Sequence, residues 1–209
     1  MILNDFERLL TNSPVRRFLQ RRVEVPWFLR NGGPVTGGHV LEVGCGRGIG
    51  AGLILEQFGA ARLDAFDLDP RMLARAKRRL ARYGDRVCLW QGDATAIAAT
   101  DDGYDAVFDF EIIHHVPDWR SALAEIFRVM KPGGRFYAGE ILERFILNPL
   151  SARLFDHPMQ DRFDHAAFCD GLAHAGFHLD AERGMAECVG WYVARKPPMA
   201  TNRARELRS

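Results

Sequence analysis

Short apolar runs and helical repeats of apolar residues alternate along most of the chain. Such runs predict strands, whereas apolar residues spaced three or four positions apart predict amphipathic helices. The runs predict seven strands, at His39–Val43, Arg62–Phe66, Arg86–Trp90, Ala106–Phe110, Arg135–Ile141, Phe177–Glu182 and Glu187–Ala194. The repeats predict helices at Gly48–Phe58, Pro70–Leu80, Trp119–Met130 and Asp164–Ala175. This alternation indicates an α/β fold in which helices cover both faces of a mostly parallel sheet, and the short final connection predicts an antiparallel hairpin.

Two features predict where helices begin and end. Asp69 precedes Pro70, which is typical of an N-cap followed by the first helical residue. The sequence Lys131-Pro132-Gly133-Gly134 follows the third helix and is expected to stop it.

The segments outside this alternation predict the domain organisation. Residues 1–36 are expected to form a helical extension, in which the arginines at positions 16, 17, 21 and 22 make a solvated basic face. Residues 37–196 are expected to form the main domain, with an insertion at 143–163, and residues 197–209 a tail. The insertion mixes large apolar residues with arginines, so we hypothesise that it and the extension form a lid over an apolar or amphipathic ligand.

Composition and charge exclude several classes of protein. The chain has 209 residues, of which 47% are hydrophobic and 26% charged, with 28 basic and 27 acidic side chains. A net charge of +1 gives no field that would recruit nucleic acid or an anionic membrane. We find no apolar run of about 20 residues and no secretory signal pattern, and the four cysteines lack zinc or disulfide spacing. These observations predict a reduced, cytoplasmic domain without a metal, and they leave its oligomeric state open.

A glycine-rich turn follows the first predicted strand and carries the strongest chemical signal. Gly44, Gly46 and Gly48 alternate with other residues, so a ligand could approach main-chain N–H groups that a side chain would otherwise block. Glu42 precedes the turn; its carboxylate would repel a pyrophosphate but attract a cation. The dinucleotide fingerprint fits only late in this turn, which disfavours a nicotinamide cofactor and leaves an NAD-dependent oxidoreductase as the rival enzyme class.

Two further acids end the second and third predicted strands. Asp67 lies 23 positions after Gly44, where a carboxylate can accept hydrogen bonds from both ribose hydroxyls. Asp93 ends the third strand and could accept a hydrogen bond from the exocyclic amine of an adenine. Because the carboxyl ends of parallel strands share one edge, these acids predict a nucleoside site there.

The order and spacing of five motifs resemble those of class I S-adenosylmethionine-dependent methyltransferases. These motifs are VLEVGCGRG (40–48), AFDLDPRML (65–73), QGDA (91–94), YDAVFDFEIIHHV (104–116) and ALAEIFRVMKPGGRFY (122–137). The resemblance implies a Rossmann-like seven-stranded sheet of order 3-2-1-4-5-7-6 and the cofactor S-adenosylmethionine, with S-adenosylhomocysteine as its product. The resemblance is strong over residues 36–142. Within the class, the motif spacing is similar to that of quinone-biosynthesis and lipid methyltransferases.

The resemblance also implies a role for individual residues. The methionyl part of the cofactor would lie against Glu42, Gly44, Cys45, Gly46 and Gly48. The ribose would bind Asp67, and the adenine would contact Leu68, Met72, Asp93 and Ala94. The donor methyl group would lie against Asp109, Phe110 and Glu111.

A general base is needed only if the acceptor must lose a proton, and the candidates follow the fourth and fifth strands. The candidate bases are Glu111, His114, His115 and Glu140. Of these, we select Glu111 and His114 as candidate catalytic residues. A structural role is the more common one for such residues. Glu111 and His114 have the spacing of metal ligands on a helix, but Pro117 indicates a loop, so no metal is expected.

The residues after strand four bear on the class of acceptor. The tetrad after strand four is Asp109-Phe110-Glu111-Ile112, which lacks the pattern of nucleic-acid amino methyltransferases. A small-molecule acceptor that is apolar or amphipathic, attacked by direct displacement, is the preferred interpretation. A non-catalytic binding module with the same fold, and a protein or RNA methyltransferase, remain alternatives.

Overall fold

The computed structural model describes residues 14–146 and 162–199. The start of the predicted extension, most of the predicted insertion and most of the predicted tail therefore lie outside the described residues. The helices are α1 (Pro14–Leu19), α2 (Val25–Gly32), α3 (Ile49–Leu53), α4 (Pro70–Leu80), α5 (Trp119–Val129), α6 (Glu143–Ile146) and α7 (His165–His174). The strands are β1 (His39–Val43), β2 (Arg62–Asp67), β3 (Val87–Gln91), β4 (Tyr104–Phe110), β5 (Met130–Ile141), β6 (His178–Met185) and β7 (Val189–Arg195).

The seven strands form one sheet of order β3-β2-β1-β4-β5-β7-β6, which confirms the predicted fold. Strands β1 to β5 pair with one another in parallel, whereas β7 runs antiparallel to both β5 and β6. Strand β1 lies between β2 and β4, so the chain leaves β1 toward one side of the sheet and later returns on the other. Ligands of open α/β sheets bind at such a reversal of strand order, next to the carboxyl ends of the strands.

Two apolar cores lie on opposite faces of the sheet. Successive side chains of a strand point to opposite faces, so Val107 packs with α5 and α7, whereas Phe108 packs with α2 and α3. Helix α2 belongs to the second core, because Phe28 is fully buried there and packs against Tyr137. The Tyr137 hydroxyl donates to the Gly32 and Gly33 carbonyls at 3.0 and 2.8 Å. The described part of the N-terminal segment is thus fixed to the centre of the sheet.

The helix boundaries follow the predicted signals closely. Asp69 caps α4 by accepting a hydrogen bond from the Arg71 backbone N–H at 2.9 Å, as predicted. Helices α1 and α3 each continue into a π-helical turn, at Gln20–Glu24 and Ile54–Phe58. No helix among the described residues is long and apolar enough to cross a membrane.

The segment that ends α5 differs from the prediction. Helix α5 stops at Val129, but strand β5 begins directly at Met130, so the expected turn lies inside an irregular stretch of strand. The pairing of β4 with β5 shifts there between Tyr104 and Ala106, and Gly133 adopts a positive φ of 82°. Backbone hydrogen bonds join residues 133–134 to Lys196 and so satisfy the polar groups of this stretch. Because Lys196 is distant in sequence, local sequence signals cannot reveal it as the partner.

Candidate active site

A cavity of about 400 Å³ opens at the carboxyl ends of β1, β2, β3 and β4. The predicted site residues that line it are Glu42, Gly44, Cys45, Gly46, Asp67, Leu68, Met72, Asp93, Ala94, Phe110 and Glu111. Gly48, Asp109 and His114 do not line it. The strand ends thus bring together most of the predicted cofactor residues in one concave site.

The turn after β1 forms one wall of this cavity. Gly44 and Gly46 have φ of 63° and 52°, in the left-handed region that favours glycine. A Cβ on Gly44 would lie 2.2 Å from Ile112 Cγ1, so packing also requires glycine there. A Cβ on Gly46 would meet no atom within 4 Å, because Gly46 faces the open space of the cavity. The Cys45 thiol is buried, which raises its pKa well above the ordinary value and leaves it protonated.

Asp67 connects the glycine turn to the start of α4. Its Oδ2 accepts from the Gly46 N–H and its Oδ1 from the Asp69 N–H, both at 2.8 Å. Burial raises the pKa of Asp67, and these two hydrogen bonds oppose that shift. Each carboxylate oxygen has a second lone pair, so the side chain can still accept hydrogen bonds from a bound diol.

Glu42 presents a buried carboxylate to the cavity. It is 2% exposed and accepts a hydrogen bond from the backbone of Ala51. Its Oε2 has no hydrogen-bond partner among the described residues. Burial, and then the nearby Asp67, raise the pKa of Glu42 well above its usual value. A buried carboxylate with an unused oxygen can accept the charged amine of a ligand, and such a contact would also offset its desolvation.

A second set of acids lies behind the cavity and holds the loop after β4. Glu140 is fully buried; its Oε1 accepts from the Ile113 N–H at 2.7 Å and its Oε2 lies 2.5 Å from His114 Nδ1. Asp109 Oδ1 accepts from the Ile112 N–H at 3.0 Å. Burial raises the pKa of Glu140 to about 7 and lowers that of His114 to about 4. His114 thus contacts Glu140 behind the cavity and does not line it, although it was predicted as a candidate catalytic residue.

His115 is the neighbouring ring, and it lines the cavity. It is 8% exposed and packs against His114, with ring centroids 4.1 Å apart. A helical turn at Ile113–His115 sets which of the two rings faces the ligand space. The sequence shows both histidines but contains no signal that separates them.

Arg16 also lines the cavity, and the prediction that it belongs to a solvated face is wrong. Its Nη1 lies 3.0 Å from Glu24 Oε2, and its Nη2 and Nε lie 2.8 and 3.1 Å from the two oxygens of Glu111. Burial lowers the pKa of Arg16, but Glu111 and Glu24 outweigh this and hold it above the usual value. Arg21 and Arg22, one turn further along, are exposed as predicted.

Glu111 has an unusual backbone conformation at the point where β4 ends. Its φ is 65°, a region that costs a non-glycine residue about 1–2 kcal/mol. The Glu111 N–H donates to the Gly139 carbonyl at 2.7 Å, and the bidentate pair with Arg16 holds the side chain. Strained residues of this kind concentrate at functional sites.

The burial of Glu24 predicts a pH-dependent stability. Burial raises its pKa from 4.5 to about 7, while Arg16 opposes the shift. Between these values the folded state binds the proton and the unfolded state does not, so stability falls as the pH rises. The expected slope is about 1 kcal/mol per pH unit.

Urea unfolding of the wild type and of Glu24→Gln between pH 4.5 and 7 measures this contribution. The amide keeps the shape and cannot titrate, so the difference in unfolding free energy between the two proteins should change with pH. His114 contributes with the opposite sign, but equally to both proteins. A difference that stays constant over this range would show that Glu24 ionises normally.

Comparisons with known proteins agree with this architecture. Residues 40–134 match the family model described as a methyltransferase domain. The PH0226 protein from Pyrococcus horikoshii has the same fold, with a TM-score of 0.74, 20% identity and coverage of 92% of this chain and 99% of that one. The cyclase SpnF also shares the fold, with a TM-score of 0.68, 20% identity and coverage of 83% of this chain and 80% of that one. The fold and the cavity together define an α/β domain of the methyltransferase type.

Two curated relatives are more similar in sequence. A fatty-acid O-methyltransferase of Mycolicibacterium smegmatis is 34% identical over 155 residues, which are 74% of this chain and 56% of the relative. A ubiquinone biosynthesis O-methyltransferase of Xylella fastidiosa is 31% identical over 163 residues, which are 73% of this chain and 65% of the relative. The chain thus spans less than two thirds of either relative. Residues 40–134 form a methyltransferase domain of the class I S-adenosylmethionine-dependent type.

Proposed function

We propose that this protein is an S-adenosylmethionine-dependent methyltransferase that acts on a small apolar or amphipathic acceptor. The observation that carries the proposal is the pair formed by Glu42 and Asp67. One is a buried carboxylate with an unused oxygen, the other a carboxylate fixed by two backbone N–H groups, and both line the same cavity beside the glycine turn. This arrangement suits a ligand with an amine at one end and a ribose further along.

The cavity offers partners for each part of such a donor. Glu42 would bind the amine, and the main chain at Gly44 and Gly46 would lie against the methionyl part. Asp67 would accept the ribose hydroxyls, and Asp93 with Ala94 would meet the adenine. Leu68, which is 45% exposed, and the buried Met72 would offer apolar contacts to the adenine ring. When bound, S-adenosylmethionine supplies a methyl group already activated by a sulfonium, so transfer can proceed by direct displacement.

The protein then has to position the acceptor and exclude water. Apolar lining by Ile112, Val116 and Pro117 lies in the same loop as Glu111 and His115. An apolar acceptor would pack against Ile112, Val116 and Pro117. Its reactive oxygen would then lie near Glu111 and His115. Correct orientation of two reactants can contribute about 7–11 kcal/mol of the barrier reduction. The names of the two curated relatives support an oxygen as the atom methylated.

His115 is the better candidate for a base in this proposal. It lines the cavity, whereas His114 is held by Glu140 and Glu111 is held by Arg16. A hydroxyl acceptor would give its proton to the imidazole, while a carboxylate acceptor would need no base. Glu111 is then a positioning residue that fixes the mouth of the site together with Arg16.

Titration with alternative cofactors tests the donor site. S-adenosylmethionine and S-adenosylhomocysteine should each raise the unfolding temperature with increasing concentration, since only a ligand of the folded state does so. NAD should not raise it. The reverse pattern would overturn the proposal in favour of an oxidoreductase.

Arg16→Gln tests the assignment of the acceptor end. Glu111 loses its bidentate partner, so we expect kcat at saturating donor to fall by about tenfold to a hundredfold through misplacement of the acceptor. The affinity for S-adenosylmethionine should stay within about threefold, because the amide leaves Glu42 and Asp67 in place. Labelled methyl transfer and calorimetry measure the two quantities.

Arg21→Gln is the matched control, since Arg21 is an exposed arginine of the same helical segment and does not line the cavity. It should change neither quantity. Loss of donor affinity without loss of kcat in Arg16→Gln would place Arg16 in the donor site instead. A point substitution is preferred to deletion of the extension, because Val25 and Phe28 belong to the core.

A further inference from the structure

A second group of reactive side chains lies between α7 and β6 and has no part in the proposed function. His165 and Cys169 are one turn apart on α7, and Glu182 lies on β6. We name these three residues the α7–β6 cluster. None of them lines the cavity described above.

The polar atoms of the cluster converge on one point. Cys169 Sγ lies 2.9 Å from Glu182 Oε2 and 3.9 Å from His165 Nε2, and Nε2 lies 3.4 Å from the same carboxylate oxygen. Around a tetrahedral zinc ion, sulfur and nitrogen ligands are separated by about 3.5 Å and nitrogen and oxygen ligands by about 3.3 Å. The nitrogen–oxygen separation of 3.4 Å therefore fits already. The sulfur–nitrogen separation needs to shorten by about 0.4 Å, and the sulfur–oxygen separation needs to lengthen by about 0.6 Å, to about 3.5 Å.

A further contact orients the histidine. His165 Nδ1 lies 2.9 Å from the hydroxyl of Tyr192, and the two rings stack with centroids 5.3 Å apart. Tyr192 is fully buried on β7, so it is a fixed partner. When Nδ1–H donates to this hydroxyl, Nε2 carries a lone pair directed at Cys169 and Glu182. Metal-ligating histidines are oriented by such hydrogen bonds from their other nitrogen.

We propose that the α7–β6 cluster binds a divalent ion of the zinc type through Cys169 Sγ, His165 Nε2 and a Glu182 oxygen, with water as the fourth ligand. On binding, the S–H bond of Cys169 breaks, a sulfur–metal bond forms and the proton goes to solvent. The ion joins α7 to the edge strand β6, so its role is to stabilise this end of the sheet. Sulfur, nitrogen and oxygen ligands together favour zinc over magnesium or calcium.

Titration of the reduced, untagged protein with Co²⁺ tests this proposal. Cobalt reports its ligands by absorption, and we expect the sulfur-to-cobalt charge-transfer band and the strong visible bands of tetrahedral coordination, saturating at one ion per chain. Zn²⁺ should then displace the cobalt and remove the bands. Zn²⁺ should also raise the unfolding temperature of the wild type with increasing concentration.

Variants assign the ligands. Cys169→Ser should remove the charge-transfer band, and His165→Ala should weaken cobalt binding by at least about tenfold. Cys88→Ser, at an exposed cysteine on β3, and His174→Ala, at an exposed histidine of α7, are matched controls that should leave the titration unchanged. Glu182→Gln provides a second test on an exposed residue if Cys169→Ser fails to fold.

Two results would overturn the proposal. One is the absence of tetrahedral cobalt bands from the folded wild type. The other is a charge-transfer band that persists in folded Cys169→Ser, which would assign the metal to another cysteine. Both are independent of methyl transfer, so the proposed function can stand or fall separately.

Discussion

Replacement of Asp67 by alanine is expected to weaken S-adenosylmethionine binding by at least about a hundredfold, the largest effect on affinity of any single change in the donor site. The substitution removes an acceptor for two ribose hydroxyls, and hydrogen bonds to a charged group contribute about 1.5–3 kcal/mol each. It also releases the N–H groups of Gly46 and Asp69, which hold the glycine turn against the start of α4. Calorimetric titration with S-adenosylmethionine measures the effect.

Asp164→Ala is the control for this substitution. Asp164 also accepts a backbone N–H, that of Ala167 at 2.7 Å, but it caps α7 away from the cavity. Its loss should lower stability by about 1 kcal/mol and leave the donor affinity unchanged. Donor affinity within threefold of wild type in folded Asp67→Ala would show that the ribose, and with it the donor, binds elsewhere.

Gly44→Ala is expected to produce the largest loss of stability from a single added methyl group in the glycine turn. The left-handed backbone costs alanine about 1–2 kcal/mol, and the new Cβ would lie 2.2 Å from Ile112 Cγ1. Forcing an atom into packed surroundings adds about 1–3 kcal/mol, so we expect the free energy of unfolding to fall by about 2–5 kcal/mol. Urea unfolding of both proteins measures this difference.

Gly133→Ala separates the two contributions. Gly133 also has a positive φ, but a Cβ there would meet no atom within 4 Å, so only the conformational cost of about 1–2 kcal/mol remains. If Gly44→Ala and Gly133→Ala destabilised the protein equally, Ile112 would move aside at no cost. The loop after β4 would then not be tightly packed against the glycine turn.

The fold and the donor end of the site could be predicted because their signals are local. The strands of a parallel sheet read as short apolar runs, and chain order then determines which residues end each strand. Glu42, Asp67 and Asp93 stand at three such ends, so sequence position alone predicts that they share one edge. The cap at Asp69 is likewise a signal contained in two neighbouring residues.

The acceptor end could not be predicted because its contacts are distant in sequence. Arg16 and Glu111 are 95 positions apart and meet only because α2 packs on β5 and β7. A basic residue on an amphipathic helix has the same pattern whether it faces solvent or a buried acid. His114 and His115 lie on different sides of one helical turn, and this is the only difference between them. The contact between His114 and Glu140 decides which ring lies on which side.

The α7–β6 cluster illustrates the same limit for metal sites. Sequence spacing reveals a zinc site when its ligands come in close pairs, and the four cysteines here offer none. His165 and Cys169 are four positions apart on a helix, but Glu182 joins them only through the packing of α7 against the edge strand. A site that draws its third ligand from a second element has no complete signature in the sequence alone.

The destination of the methyl group tests the proposed function most directly. Incubation of the purified protein with S-adenosylmethionine tritiated in its methyl group and a cell lysate, followed by separation into lipid, small-molecule, protein and RNA fractions, measures this destination. We expect label in the lipid or small-molecule fraction with the wild type and at least about a tenfold reduction with Asp67→Ala at limiting donor. Label confined to protein or RNA would contradict the proposed acceptor class, and a protein that binds the donor but labels no fraction would be a binding module rather than an enzyme.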